Sequence, residues 1–236
     1  MYLRLQSLLS GTDYEGSLVS ADPIVSEVRG IKSETERERI VAAAEETEAF
    51  LAEMVAEWSP DWTEADVSDY LHGRMEDEGY GSAWSWDYCP TVHAGGESPV
   101  GHTLPGDRTL PAGDILHVDF GVVKDGYAAD IQRLYYRPED DEDPPADLQA
   151  AFEDARAAID AGLDALEPGV EGHVVDDAAR DEVTDRGWPE YQHAFGHQVG
   201  RNAHDGGALL GPLWERYGDQ PRREVRTGEI YTAELG

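Results

Sequence analysis

Apolar residues recur at helical spacing between residues 33 and 58 and predict a long helix there. Ser33 and Glu36 form the pattern of a capping box, in which each side chain accepts a hydrogen bond from the other residue's backbone N–H. Pro60 ends the periodic stretch, so we expect the helix to reach about Trp58. The apolar positions of the predicted helix are Ile40, Ala44, Thr47, Leu51, Val55 and Trp58.

Two strand-like runs, ILHVDFGVV (115–123) and YAADIQRLYY (127–136), flank an Asp-Gly pair and predict a β-hairpin. If Asp125 and Gly126 form a two-residue turn, positions whose numbers sum to 251 lie opposite each other. Asp119 then faces Gln132 and Asp130 faces Gly121, and alternation puts all four on one face of the hairpin. The opposite face carries the apolar residues Leu116, Val118, Phe120 and Val122.

The order of the remaining elements predicts an α+β fold with a largely antiparallel sheet. Residues 1–32 carry no clear pattern. The other predicted elements are a helix from Thr63 to about Gly79, helices over about 147–166 and 172–186, a Gly- and His-rich segment over 193–212, and a strand EIYTAEL over 229–235.

The charge of the chain excludes several classes of partner. Its 236 residues include 50 Asp and Glu against 18 Lys and Arg, a formal net charge of −32. That balance argues against nucleic acid and against anionic membranes as partners.

No apolar run approaches the about 18 residues of a membrane span, and the lone Cys89 excludes an intrachain disulfide, so we expect a cytoplasmic protein. Lysine occurs only at positions 32 and 124, and this acid-rich, lysine-poor composition favours a halophilic source over the alternative of an acidic protein of ordinary origin.

The predicted hairpin places two carboxylates on one partly buried face, and these need a proton, a cation or solvent between them. We expect Gly121 to leave an open space between Asp119 and Asp130 that a divalent cation fills. The alternative is that both aspartates lie on a hydrated sheet face.

The His-rich segment and the last predicted strand supply further candidate ligands. His197 lies between Gly196 and Gly200, and alternation places Glu234 on one face of its strand with Thr232. Two Asp, one His and one Glu form a mixed nitrogen and oxygen set that suits Mn, Co, Fe or Zn. For any single histidine the alternative is a structural or surface role. His117 shares the face of Asp119, and for it we expect a structural or supporting role.

Taken in order, these motifs resemble one metallopeptidase family, that of methionine aminopeptidases, Xaa-Pro aminopeptidases and prolidases. The matching phrases are HVDFG, an aspartate eleven residues after the first in GYAADIQR, GHQVG with a histidine seven residues later, and TAELG. The phrases RGIKSETERERI, GGESPVGHTLP and HAFGH resemble the Xaa-Pro branch most. The resemblance covers about residues 30–236 and implies the pitta-bread fold, a curved and mostly antiparallel sheet with helices packed on one face.

The resemblance also implies a role for each matching residue. Asp119, Asp130, His197 and Glu234 would be metal ligands for two divalent ions (Mn, Co or Zn), and Asp130 would bridge them. Glu234 would also be a proton shuttle for the attacking water, which the two ions hold as hydroxide. His102 and His204 would contact the substrate around the scissile bond. His193 would line the substrate pocket.

The family has a fifth ligand, a glutamate on a later strand, and the sequence stops at Gly236. We therefore expect residues 33–236 to be a catalytic domain that lacks its C-terminal strand, and residues 1–32 to be the remnant of a preceding domain or a linker. The leading functional hypothesis is an Xaa-Pro aminopeptidase or dipeptidase that takes peptide or dipeptide substrates. Dimers are common in the family that the motifs resemble, so a homodimer is one assembly open to this chain. The alternatives are hydrolysis of a non-peptide amide or cyclic amidine, such as a compatible solute, and a catalytically incomplete binding module.

Overall fold

The computed structural model describes residues 2–98, 101, 103–140 and 143–235, in which four helices, six strands, two helices and two short strands follow one another and the strands pair antiparallel. The helices are α1 (Tyr2–Leu9), α2 (Asp22–Gly30), α3 (Glu34–Glu57), α4 (Glu64–Glu78), α5 (Ala146–Ala165) and α6 (Gly172–Asp185). The strands are β1 (Gly81–Ser82), β2 (Thr91–Ala94), β3 (Ile115–Phe120), β4 (Val122–Lys124), β5 (Tyr127–Ala128), β6 (Ile131–Tyr136), β7 (Gly196–His197) and β8 (Leu209–Leu210). This order confirms the predicted α+β class.

Helix α3 begins and ends where its sequence signals predict. The Ser33 side chain accepts from the backbone N–H of Glu36, whose carboxylate accepts from the backbone N–H of Ser33 at 2.9 Å. The buried face is rotated from the predicted one, because α3 packs against both the sheet and α4. Val55 is 45% exposed, and the buried positions are Ile40, Ala43, Thr47, Phe50, Leu51 and Met54.

The predicted hairpin register is confirmed. Lys124 pairs with Tyr127 and Asp119 pairs with Gln132 across antiparallel strands. The turn residues Asp125 and Gly126 have φ values of 50° and 77°, the conformation that two-residue hairpin turns require. Each predicted strand is interrupted, however, so β3 and β6 join β2 in one three-stranded sheet, while β4 and β5 join β1 in another.

The interruption at Gly121 corrects the expectation of an open space beside this residue. A Cβ atom at Gly121 would lie 2.0 Å from the backbone oxygen of Ala129 and 2.9 Å from the Cβ of Ala83. The Gly121 carbonyl also accepts from the backbone N–H of Ala83 at 3.0 Å. Glycine is therefore needed because two backbone segments approach each other here, and the space for a cation lies elsewhere.

The predicted last strand, 229–235, is an extended segment with only one assigned bridge, between Gln198 and Tyr231. It runs antiparallel to the segment that contains β7. Three backbone hydrogen bonds fix this register, and they are Val199 N–H to Ile230 O, Thr232 N–H to His197 O and Glu234 N–H to Phe195 O. Glu234 is thereby held close to His197.

Two groups of helices cover the apolar surfaces. The apolar hairpin face packs against α3 and α4, and its residues Leu116, Val118, Phe120 and Val122 are buried as predicted. Helices α5 and α6 pack together around a second core that includes Val175, Ala179, Phe195 and Leu210. Within the described residues, no helix is long and apolar enough to cross a membrane.

The close approach at Gly121 makes a testable prediction. We expect Gly121→Ala to lower the free energy of unfolding by about 3 kcal/mol, because the added methyl group meets backbone rather than a movable side chain. The matched control is Gly73→Ala inside α4, where nothing lies within 4 Å of the added atom. That control should raise stability by about 0.5–1 kcal/mol. Urea denaturation measures both changes, and equal stability of Gly121→Ala and the parent protein would contradict the packing described here.

Candidate active site

A cavity of about 460 Å³ lies where the hairpin, the His-rich segment and the C-terminal extended segment meet. A neighbouring hollow of about 490 Å³ shares Asp119, Asp130 and His204 with it. The candidate residues that line the first cavity are Asp119, Asp130, His193, His197, His204 and Glu234. The structure thus brings together six of the seven residues singled out from the sequence. His102 lies outside the described residues.

The two aspartates of the hairpin lie side by side in a buried position. Burial raises the pKa of Asp119 to about 9, and the charges of Asp130 and Glu234 add to the effect. Burial likewise raises the pKa of Asp130 to about 7, with a further contribution from the charge of Glu234. Because neighbouring buried carboxylates cannot all ionise without a compensating cation, the polypeptide by itself retains protons here at neutral pH.

His197 is the positive partner that the chain supplies to these carboxylates. Its Nε2 atom lies 3.4 Å from an oxygen of Asp130 and 3.4 Å from an oxygen of Glu234. Burial acts to lower the pKa of His197, but the hydrogen bond and charge of Glu234 and the charge of Asp130 outweigh it and raise the pKa. Burial acts to raise the pKa of Glu234, and the contacts with His197 and the amide of Gln132 outweigh it and lower the pKa.

His204 stacks on His197, with the ring centroids 3.9 Å apart and the planes inclined by 25°. The residue after it, Asp205, is 6% exposed and anchors this loop. The Asp205 carboxylate accepts from Lys32 Nζ at 3.0 Å and also contacts Arg29 at the end of α2. A buried ion pair is strongly disrupted by loss of one partner, so residues 29–32 help to position His204.

His193 lines the cavity from a loop that a second buried ion pair holds. Arg180 on α6 donates to both carboxylate oxygens of Asp176, at 2.9 Å and 3.1 Å. The same guanidinium donates to the backbone oxygens of Tyr191 and His193, at 2.8 Å and 3.1 Å. The guanidinium of Arg180 therefore fixes the backbone that leads into β7.

The donor set fits a hard or borderline divalent cation. No group of three or more His, Cys, Asp or Glu side chains in the described part of the chain is arranged to hold a metal ion as it stands. Three observations nonetheless support the fit. Asp119 Oδ1 is buried without a hydrogen-bond partner, the aspartate pKa values are raised, and carboxylate oxygens converge with one imidazole nitrogen. The 3.4 Å contacts of His197 Nε2 bring Asp130 and Glu234 into the set of residues that would hold a cation.

Sequence reasoning missed several residues of the site. Gln132 donates to Glu234 and contacts His117, which in turn contacts His93. The hairpin register already placed Gln132 on the aspartate face, and that was the available signal. For His117 the sequence predicts a structural or supporting role, and its Nε2 lies 3.0 Å from the amide oxygen of Gln132. The position of His93 depends on pairing between β2 and β3, which the sequence did not predict.

Residues 38–236 match the sequence profile of metallopeptidase family M24, and the chain belongs to this family. An uncharacterized peptidase of Staphylococcus aureus is 27% identical over 203 residues, which cover 86% of this chain and 56% of the relative. The chain thus spans about half the length of the curated relatives it matches.

Two solved structures show the same fold. An X-Pro aminopeptidase from Thermotoga maritima aligns with a TM-score of 0.79 and 24% identity, over 99% of this chain and 61% of that one. A prolidase from Pyrococcus furiosus aligns with a TM-score of 0.83 and 21% identity, over 100% of this chain and 65% of that one. The pitta-bread fold expected from the sequence is thereby confirmed.

The raised aspartate pKa values predict that cation binding releases protons. At pH 7.5 Asp119, with a pKa of about 9, is mostly protonated, and a divalent cation favours its ionised form. We expect Mn²⁺ binding to release at least one proton at pH 7.5, because Asp130 and His197 add to the proton of Asp119, and fewer as the pH rises past 9, so that the affinity increases with pH up to that point. Calorimetry in buffers of different ionisation enthalpy measures the release. Asp119→Asn should release less, and binding without any proton release at pH 7.5 would contradict the assignment.

Proposed function

We propose that residues 33–236 carry the catalytic domain of a metal-dependent exopeptidase of the Xaa-Pro aminopeptidase or Xaa-Pro dipeptidase type. The observation that carries the proposal is the convergence of Asp119, Asp130, His197 and Glu234 on one cavity that His193 and His204 also line. Membership of metallopeptidase family M24 supports the reaction class. The Xaa-Pro substrate class is supported by the sequence phrases around His193 and by the kinds of peptidase that share the fold.

In this proposal Asp119, Asp130, His197 and Glu234 would hold the divalent cations. The negative charges of the three carboxylates would offset much of the charge of the cations, and the cations would relieve the repulsion between the carboxylates. The bound cations supply Lewis acidity, which lowers the pKa of an attacking water and polarises the scissile carbonyl.

The chain's own groups move the proton and hold the substrate. Glu234 accepts the proton from the attacking water as the C–O bond forms, and then passes it to the nitrogen of the departing amine as the C–N bond breaks. His204 donates a hydrogen bond to the carbonyl oxygen as negative charge develops on it. His193 lines the pocket that receives the peptide.

The proposal is tested by hydrolysis assays with Mn²⁺, Co²⁺ or Zn²⁺ at high salt, on an Xaa-Pro dipeptide, an Xaa-Pro tripeptide and a matched peptide with alanine in place of proline. We expect cleavage before proline. Glu234→Gln should lower kcat about 10²- to 10⁴-fold, the usual contribution of a proton-transferring group. Asp130→Asn should lose both activity and stoichiometric metal.

The matched control is Asp125→Asn, which makes the same chemical change on the same hairpin, in the turn between β4 and β5. It should keep both metal and activity. Absence of hydrolysis with every cation and peptide would contradict the proposal. Absence of bound metal as well would favour a binding module, and cleavage of a cyclic amidine alone would favour the non-peptide alternative.

A further inference from the structure

Glu234 has different partners at its two carboxylate oxygens. Oε1 lies 3.4 Å from His197 Nε2 and accepts from Thr232 Oγ1 at 3.4 Å. Oε2 accepts from the amide nitrogen of Gln132. One oxygen therefore faces the other candidate ligands, while an amide donor holds the second.

We propose that Gln132 is a positioning residue for Glu234, and that three residues behind it fix the orientation of its amide group. This inference rests on the proposed role of Glu234 as ligand and proton carrier. A glutamine amide can rotate by half a turn with little steric cost, which would exchange its donor for an acceptor. In that orientation the amide oxygen would face the Glu234 carboxylate and repel it, so something must hold the amide in the donating orientation.

The group that holds it is an imidazole on the neighbouring strand. His117 Nε2 lies 3.0 Å from the amide oxygen of Gln132. Since that oxygen can only accept, His117 must carry its proton on Nε2. In a neutral imidazole the other nitrogen, Nδ1, is then an acceptor.

The same reasoning extends this series of hydrogen bonds to His93 and Thr103. His117 Nδ1 lies 3.1 Å from His93 Nδ1, so His93 must donate from Nδ1 and accept at Nε2. His93 Nε2 lies 3.1 Å from Thr103 Oγ1, whose hydroxyl is a donor. All four hydrogen bonds therefore run in one direction, starting at the Thr103 hydroxyl and ending at Glu234 Oε2.

The consequence for the site is a carboxylate with a defined free side. A fixed N–H on Oε2 presents Oε1 to His197 and the aspartates, where the proposed cations and proton transfer need it. Hydrogen-bonded partners behind metal ligands commonly contribute 10- to 100-fold to metal affinity or activity.

The tautomers of His93 and His117 test this series of hydrogen bonds without reference to catalysis. In the ¹⁵N-labelled metal-free protein, long-range ¹H–¹⁵N spectra should show His93 protonated on Nδ1 and His117 protonated on Nε2. Gln132→Met, which keeps the side-chain length but removes the amide, should shift the His117 pattern. His72 is the internal control, because its Nε2 contacts the backbone oxygens of Trp86 and Cys89 and should not change.

Thr103, the first donor of this series of hydrogen bonds, allows a milder pair of variants. Thr103→Val removes the hydroxyl and should change the His93 pattern, whereas Thr103→Ser keeps the donor and should preserve it. The opposite tautomer at His117, or a His117 pattern that Gln132→Met leaves unchanged, would overturn the proposal. Because the readout is protonation of two rings, it is independent of whether the protein cleaves peptides.

Kinetics then distinguish positioning from general support of the fold. We expect Gln132→Met to lower kcat 10- to 100-fold with KM within about twofold, and His117→Phe to lower kcat less. If His117 acts only through Gln132, the double variant is no slower than Gln132→Met alone. The matched control is Gln149→Met on the exposed side of α5, which should leave kcat unchanged. Independent, multiplicative losses in the double variant would overturn the proposed chain.

Discussion

Three carboxyl groups, those of Asp119, Asp130 and Glu234, share one partly enclosed cavity, and their mutual repulsion is the constraint that the surrounding structure has to meet. Burial makes the ionised forms costly, and each added negative charge increases the cost for the others. The chain offsets part of it with the imidazole of His197, which faces two of the three groups. Holding these carboxyl groups together therefore lowers folding stability, and the rest of the fold keeps them in place.

The scaffold holds each contributor from an element that is fixed independently. A hairpin whose register is set by its turn positions the two aspartates. The ion pair between Arg180 and Asp176 fixes the backbone that leads to β7. The buried pair between Lys32 and Asp205 does the same for the loop after it. Charges placed away from the cavity thus hold in place the backbone that carries the charges inside it.

The accuracy of the sequence predictions followed the range of the interactions behind them. The capping box at Ser33 and the turn at Asp125 depend on neighbours within a few residues, and both were predicted correctly. The environment of Gly121 was predicted wrongly, because the atoms that crowd it include those of Ala83, far away along the chain. Alternation along the hairpin gave the shared face of the aspartates, but it could not show that the strands split between two sheets.

The sequence by itself determined the order of the elements, the register of the hairpin and the family resemblance, since these follow from local patterns and from motifs in a fixed order. Only the tertiary structure decided how the pieces meet. The contact of Glu234 with His197 depends on pairing between two segments more than thirty residues apart. The hydrogen bonds behind Gln132 depend on β2 lying beside β3. No local pattern encodes such distances, because they arise from the packing of distant segments around shared cores.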